Sequence, residues 1–505
     1  MAGNSCPERN EQLRKVMLTD LRADTFDCRS VFSVARRVME SLGNNDINFA
    51  LRLIHNLVVR IITEPLCTSQ VFGSRTLDDL CLRIGKANLA VIQRDKLVAM
   101  SRQGEQPVFC YIVTKLQRSG GHTRVIENFI RARPEGRHVI LSTELDGRSD
   151  TVYVRDGIAG EASVVFEQAP KGNYHQRLTW LQERLLGANP KKVYLFNHHQ
   201  DSVAVAAIQP EMELDASFYH HGDHHLSLGL YLPHLDHIDP HPMGYHNCRS
   251  VLGIDNSFIP LTVDDKGDRP ADWSFLRQGA LTTCTAARSN KIEISYFVSY
   301  LELVPKLLNA TGGRHIHIGR LTPWALYKVR RGLRRHGIPP DRFTYIDWVP
   351  SVWQALHDFR VDLYIASFPH GGGLTLIEAM GAGIPVALHR HIFSRILSGI
   401  DLAYDGAFSW RFPDELLDHC VSLTPRDLEQ AGRCSRLQYE TLHSREIFHR
   451  ILNDAAGFSL KPRDLSDGFS VASDEWALWM ERQLTTRRII SRALYRSIRR
   501  FRAWQ

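Results

Sequence analysis

The chain lacks any uninterrupted apolar run approaching the ~18 residues needed to cross a bilayer, and it has no pair of cysteines spaced CxxC. Its nine cysteines (Cys6, Cys28, Cys67, Cys81, Cys110, Cys248, Cys284, Cys420 and Cys434) are scattered and odd in number. That pattern argues against a disulfide framework and against a zinc site, and for reduced, mostly buried thiols. The opening MAGNSCPERNEQLRK holds no hydrophobic stretch, so no signal peptide is expected and a cytoplasmic location is. No internal repeat or low-complexity tract is visible. What is present is an ordinary globular composition, 505 residues that are 43% hydrophobic and 23% charged, enough for two to four domains.

The net charge of +7 is unevenly spread: seven arginines fall between Arg487 and Arg502. In residues 485–505, Ile490, Leu494, Ile498, Phe501 and Trp504 follow one side of a helix that arginines otherwise cover. A basic amphipathic helix with aromatic residues reads as an anchor on anionic lipid, giving peripheral attachment at the inner face of the membrane. The alternative is a polar-faced helix packed on the protein. Nucleic acid is not expected as a partner, because no nucleic-acid-binding module accompanies the charge.

The chemistry concentrates in residues 361–390, VDLYIASFPHGGGLTLIEAMGAGIPVALHR. An apolar, β-rich run (361–367), a glycine loop (Gly371, Gly372, Gly373), an amphipathic helix (374–382) and a second apolar run (384–389) make a βαβ unit. The glycines let backbone N–H groups approach a ligand, and the helix start adds partial positive charge; together they suit a phosphate or pyrophosphate. Glu378, one turn into the helix, is placed to accept from the two hydroxyls of a ribose. The bland alternative is an ordinary βαβ turn with a solvent-facing Glu.

GGGLTLIEAMGAGIPV resembles the donor-nucleotide motif of the GT-B glycosyltransferases, in particular bacterial group-1-like nucleotide-sugar transferases. The chain keeps the second Glu of that pattern (Glu378) and the tail Ala379, Met380, Gly383, Pro385 and Val386, but has His370 where the first Glu would stand. A His at that position is similar to the inverting GT-B enzymes, in which it meets the diphosphate. The resemblance implies that His370, Gly371, Gly372, Gly373, Leu374, Thr375 and Glu378 bind the donor, and that a strand at 279–286 is followed by the cations, Arg288 or Lys291, that neutralise its diphosphate. Residues 345–349 would lie near the base. No cofactor is implied beyond the nucleotide-diphosphate sugar as co-substrate.

Ahead of this unit, residues 31–59 and 77–97 carry apolar positions at helical spacing, which predicts an all-α segment over 1–105. At Pro107 the pattern changes: a buried strand (108–114) runs into Gly120–Gly121 and a helix, the beginning of a Rossmann-like half. Gly121 resembles the loop that borders the donor cleft in the same enzymes, with His122 and Arg124 facing the phosphates or the acceptor, or else merely flanking a helix. Strands and helices alternate onward to 216–221. There FYHHGDHHLSLG places His220, His221, Asp223, His224 and His225 at the carboxyl end of a strand, where such sheets bind ligands. Imidazole titrates near neutrality, so His221 or His224, oriented by Asp223, is a candidate base or sugar contact. A metal site drawing also on His234, His237 and His241 is the rival; the spacing lacks a helical i, i+4 pair with a distant third ligand, and no metal is expected. A histidine-rich surface loop is the alternative without chemistry.

The expected architecture is α/β of GT-B type: a helical segment at 1–105, Rossmann-like halves at 106–268 and 269–456 facing a cleft, and a C-terminal extension at 457–505 with the basic helix. The expected activity is transfer of a sugar from a nucleotide-diphosphate donor to a glycan, lipid or protein acceptor. A nucleotide-sugar epimerase on the same fold, and a non-catalytic scaffold that binds a partner or a membrane, are the alternatives.

Overall fold

The computed structural model describes residues 31–64, 67–95, 106–117, 121–153, 163–270, 272–277, 279–392, 394–453 and 459–464, with some positions between 485 and 494. Gly120, Cys6, Cys28, and the tail residues Ile498, Phe501 and Trp504 lie outside the described residues.

Three helices open the described chain: α1 (Val31–Gly43), α2 (Ile47–Ile62) and α3 (Arg75–Asp95). The apolar periodicity of 31–59 is broken where Asn45 takes a positive φ of 58° and the Asp46 side chain accepts the Phe49 N–H, starting a new helix. These helices share one core with the first sheet: Val34, Leu51, Ile54 and Ile84 pack with Ile112, Leu141, Leu178 and Val205. Buried Asp78 of α3 accepts the N–H groups of Gly229 (2.8 Å) and Tyr231 (2.9 Å), tying α3 to the loop beyond the histidine cluster.

The first sheet is built from β1 (Val108–Val113), β2 (Arg137–Ser142), β3 (Ser163–Gln168), β4 (Lys192–Phe196), β5 (Ala216–Tyr219), β6 (Asp236–Asp239) and β7 (Asn256–Phe258). Their order is β3-β2-β1-β4-β5-β6-β7, and every pairing is parallel. Helices α4 (Gly121–Arg131), α5 (Tyr174–Ala188) and α6 (Ser202–Ala207) cover its faces. Burial on both sides explains why β1 reads VFCYIV without polar alternation: Cys110 and Ile112 face the helical segment, while Phe109, Tyr111 and Val113 face α4.

The second sheet comprises β8 (Thr282–Ala286), β9 (Arg314–Ile318), β10 (Phe343–Ile346), β11 (Leu363–Ile365), β12 (Val386–His389) and β13 (Phe408–Trp410). Its order, β10-β9-β8-β11-β12-β13, is also all parallel. Helices α7 (Tyr300–Thr311), α8 (Pro323–Arg335), α9 (Val352–Asp358), α10 (Gly373–Gly381), α11 (Pro413–Ser422) and α12 (Pro425–Gln438) surround it. Helix α13 (Arg445–Asn453) then crosses back to the first half, setting Phe448 edge-on to Phe129 at 5.2 Å. Among the described residues no helix is long and apolar enough to cross a membrane.

Four strands were not expected from the sequence. β3 and the short β7 and β13 carry too few residues, or too little buried surface, to show a period. β6, DHID, places His237 and Asp239 at positions that would ordinarily be apolar. Helix α7 begins only at Tyr300: residues 294–299, apolar enough to suggest an earlier start, are irregular and bent, with Tyr296 and Val298 turned inward.

Candidate functional site

In each sheet the strand order reverses once, between β1 and β4 in the first and between β8 and β11 in the second. Ligands bind outside the carboxyl ends of strands at such reversals. The loop after β11 is the glycine loop, and the loop after β8 carries Lys291.

Lys291 sits in a short helix, Ser289–Ile292, and its Nζ donates to the Gly371 carbonyl at 2.9 Å. Burial lowers its pKa to about 8. Arg288 lies exposed at the start of the same helix. Gly372 closes the space between these groups: a Cβ there would meet Thr375 Oγ1 at 2.6 Å and Lys291 Nζ at 3.3 Å. Thr375 Oγ1 donates back to the Gly372 carbonyl, and α10 starts at Gly373, so its unbonded N–H groups open on the same space. His370 precedes the loop, its N–H on the Lys291 carbonyl at 3.3 Å. Its imidazole is held neutral, first by burial and then by His224, His391 and Lys291. Glu378 is half-buried, and burial raises its carboxyl to about 7 against the pull of Lys266, Arg124 and the backbone N–H groups of Trp353 and Val352 at the start of α9.

The first half meets this loop directly. Gly121, at the start of α4, approaches so closely that a Cβ would lie 3.2 Å from Leu374. Arg124, ion-paired with Glu127 at 2.8 Å, brings positive charge towards Glu378. His224 and His225 are near enough to His370 for their charges to act on one another. Ser69 Oγ of the helical segment and Ser394 Oγ of the second half meet at 2.6 Å.

The histidines occupy different environments. His221 stacks on His122 with centroids 4.2 Å apart, and burial followed by His198 lowers its pKa to about 3. His225 is lowered to about 2 by burial, His224 and His370. His224 retains solvent contact, with Nδ1 3.6 Å from Oδ1 of buried Asp223. His220 points away into the interior, hydrogen-bonded to Asp239 at 2.9 Å. Two further histidines complete the cluster and were missed in the sequence: His198, 3.2 Å from Asp146, and His199, whose Nε2 meets the Gly222 carbonyl at 3.0 Å. Their signal was the NHHQ at the end of β4, the other side of the strand-order reversal. Asp146 also lines an open cavity of about 830 Å³ with Arg52, Arg148, Lys171, Asn173 and Arg177.

No family model matches the chain, and no curated protein matches it in sequence. Solved structures do match in shape. Anabaena HepE in complex with UDP and glucose aligns at a TM-score of 0.51 and 12% identity, over 70% of this chain and 99% of that one. A glycosyltransferase from Rickettsia africae gives 0.51 and 13%, over 70% and 100%. The lipopolysaccharide outer core galactosyltransferase WaaB gives 0.50 and 15%, over 69% and 99%. With two parallel Rossmann-like sheets whose carboxyl ends meet at the loops just described, the chain has the GT-B fold.

Proposed function

We propose that this protein is a glycosyltransferase that moves a sugar from a nucleoside-diphosphate donor to an acceptor hydroxyl or amide by inverting displacement. The observation that carries the reading is Lys291 against Gly371–Gly372 at the start of α10, one turn before Glu378 and beside His224 of the other half. The glycosyltransferase fold supports the reaction class, and the UDP held by HepE supports a nucleotide donor.

In this reading the α10 N-terminus and the glycine backbone hold the diphosphate, with His370 beside it. Lys291 supplies fixed positive charge where negative charge grows as the sugar–phosphate bond breaks. Glu378 accepts from the ribose. His224 acts as base: Asp223 faces Nδ1, leaving Nε2 for the acceptor proton while the acceptor atom bonds to the anomeric carbon. His221, held neutral at about 3, is too weak a base for this work and contacts the sugar or acceptor. The cavity bordered by Asp146, which reaches the cluster through His198, takes the acceptor side.

The test is a panel of nucleotide sugars screened for a rise in melting temperature, followed by product analysis with the donor that gives one. A new glycoside of opposite anomeric configuration is expected. Donor epimerised without an acceptor would replace this reading with the epimerase, and no response to any donor would leave a scaffold. The basic tail is proposed to add peripheral membrane binding; Ile490 and Leu494 are exposed. Deleting residues 487–505 should abolish salt-sensitive binding to anionic liposomes, and a full-length chain indifferent to them at low salt would remove the anchor.

A further inference from the structure

Behind the histidine loop lies a second constellation that the transfer reaction does not use. His220 leaves β5; His237 and Asp239 share one face of β6, with Ile238 turned into the opposite core; Cys248 comes from the helical turn Asn247–Val251. Strand pairing of Phe218 with His237 and of Tyr219 with Ile238 sets His220 opposite Asp239. All four side chains are buried, and one ligand atom from each falls within 4.8 Å of the others. His220 Nδ1 is 2.9 Å from Asp239 Oδ1, Cys248 Sγ is 3.5 Å from His220 Nδ1, and Sγ is 3.6 Å from Asp239 Oδ1. Four ligands at ~2.0–2.3 Å from a tetrahedral zinc ion are separated by roughly 3.3–3.8 Å, a range that holds the two Cys248 distances; the 2.9 Å His220–Asp239 pair must open, and pairs towards the 4.8 Å limit must close, to seat the ion.

Two further observations favour a ligand over a plain hydrogen-bond network. His237 Nε2 is buried and aimed at the cluster, 3.1 Å from Asp239 Oδ2, yet no aligned hydrogen bond satisfies it. Asn256 Nδ2 donates to Asp239 Oδ2 at 2.6 Å and to the Tyr245 carbonyl at 2.9 Å, fixing the carboxylate in the way that outer partners orient metal ligands. A carboxylate and a thiolate with two neutral imidazoles balance a divalent charge in an interior that tolerates no net charge. The mixed N, S and O set suits zinc, and a closed tetrahedron marks a structural ion.

We propose that His220, His237, Asp239 and Cys248 bind one structural Zn²⁺ that clamps the chain between β5 and β7 and so holds Asp223 and His224 at the cleft. The coupling is short: Gly244 threads between the two carboxylates, where a Cβ would lie 2.9 Å from Asp223 Oδ2 and 3.2 Å from Asp239 Oδ1.

The test is metal content of the full chain purified from zinc-supplemented cells. About one zinc per chain is expected. Cys248→Ala and His237→Ala should each lose it, and Asn256→Ala should weaken Zn²⁺ affinity about 10–100-fold. Added to chelator-treated wild-type chain, Co²⁺ should give the thiolate-to-cobalt absorption of a tetrahedral sulfur-ligated site. That spectrum keeps the test decisive if a variant fails to fold. Wild-type chain with neither stoichiometric metal nor the cobalt band overturns the proposal, as does zinc retained in folded Cys248→Ala and His237→Ala. Neither readout depends on turnover, so a failed transferase assay leaves the result standing.

Discussion

The two halves of the molecule solve the same topological problem with different sequence economies. Both sheets reverse their strand order once, and both place polar groups at the reversal. In the second half those groups lie mainly on one contiguous βαβ segment, with only Lys291 supplied from the loop after β8. In the first half they come from three separate loops: His122 after β1, His198 and His199 after β4, and 221–225 after β5. The nucleotide site proposed for the second half, made from one turn and one helix start, is a local device. A cluster made from three strand ends exists only once the sheet has formed.

The comparison predicts separable defects: the first half should carry acceptor activation, and the second half nucleotide binding and, through Lys291, charge facing the leaving group. The largest effect expected is in His224→Ala, with turnover down about 10²–10⁴-fold and nucleotide affinity nearly intact. His221→Ala should lose less; an equal or greater loss would move the base to His221 and break the assignment made from its burial. Next, Lys291→Ala should slow transfer by roughly 10²–10³-fold, measured as single-turnover rate with saturating donor, because it removes fixed charge facing the leaving group. An unchanged rate would show that Lys291 serves only the loop backbone.

Glu378→Ala should weaken nucleotide binding by about 1.5–3 kcal/mol, read by calorimetry. A folded variant with wild-type affinity would end the ribose role, leaving Glu378 to face the start of α9. The smallest effect expected is on pH dependence. Glu378 is raised to about 7 and Lys291 lowered to about 8, both by burial. Below 7 the Glu gains a proton and accepts fewer hydrogen bonds; above 8 the Lys loses its charge. Nucleotide affinity should therefore rise with pH through about 7 and fall beyond about 8. Glu378→Gln should flatten the rising limb, and Lys291→Arg should carry the falling limb to higher pH. Wild-type affinity independent of pH over this range would contradict both shifts.

The glycine loop, the α10 start and Glu378 were readable because backbone conformation and helix position follow from neighbours in the chain. Lys291 was readable only as one of two cations; its hydrogen bond to Gly371, with Arg288 exposed, is what distinguishes the pair. β6 was illegible because His237 and Asp239 stand where apolar residues would have marked a buried strand. The same polar pair meets His220 and Cys248 from either side in sequence, which spacing rules for local metal motifs do not detect.

By itself the sequence determined two alternating α/β halves, a phosphate-suited helix start and a histidine-rich strand end, since each depends on short-range periodicity or on the special conformations of glycine. Tertiary structure alone decided which histidines face the cleft, which are buried neutral, and which cluster with Cys248. Those outcomes depend on strand order and register, and register sets which side of the sheet each side chain occupies.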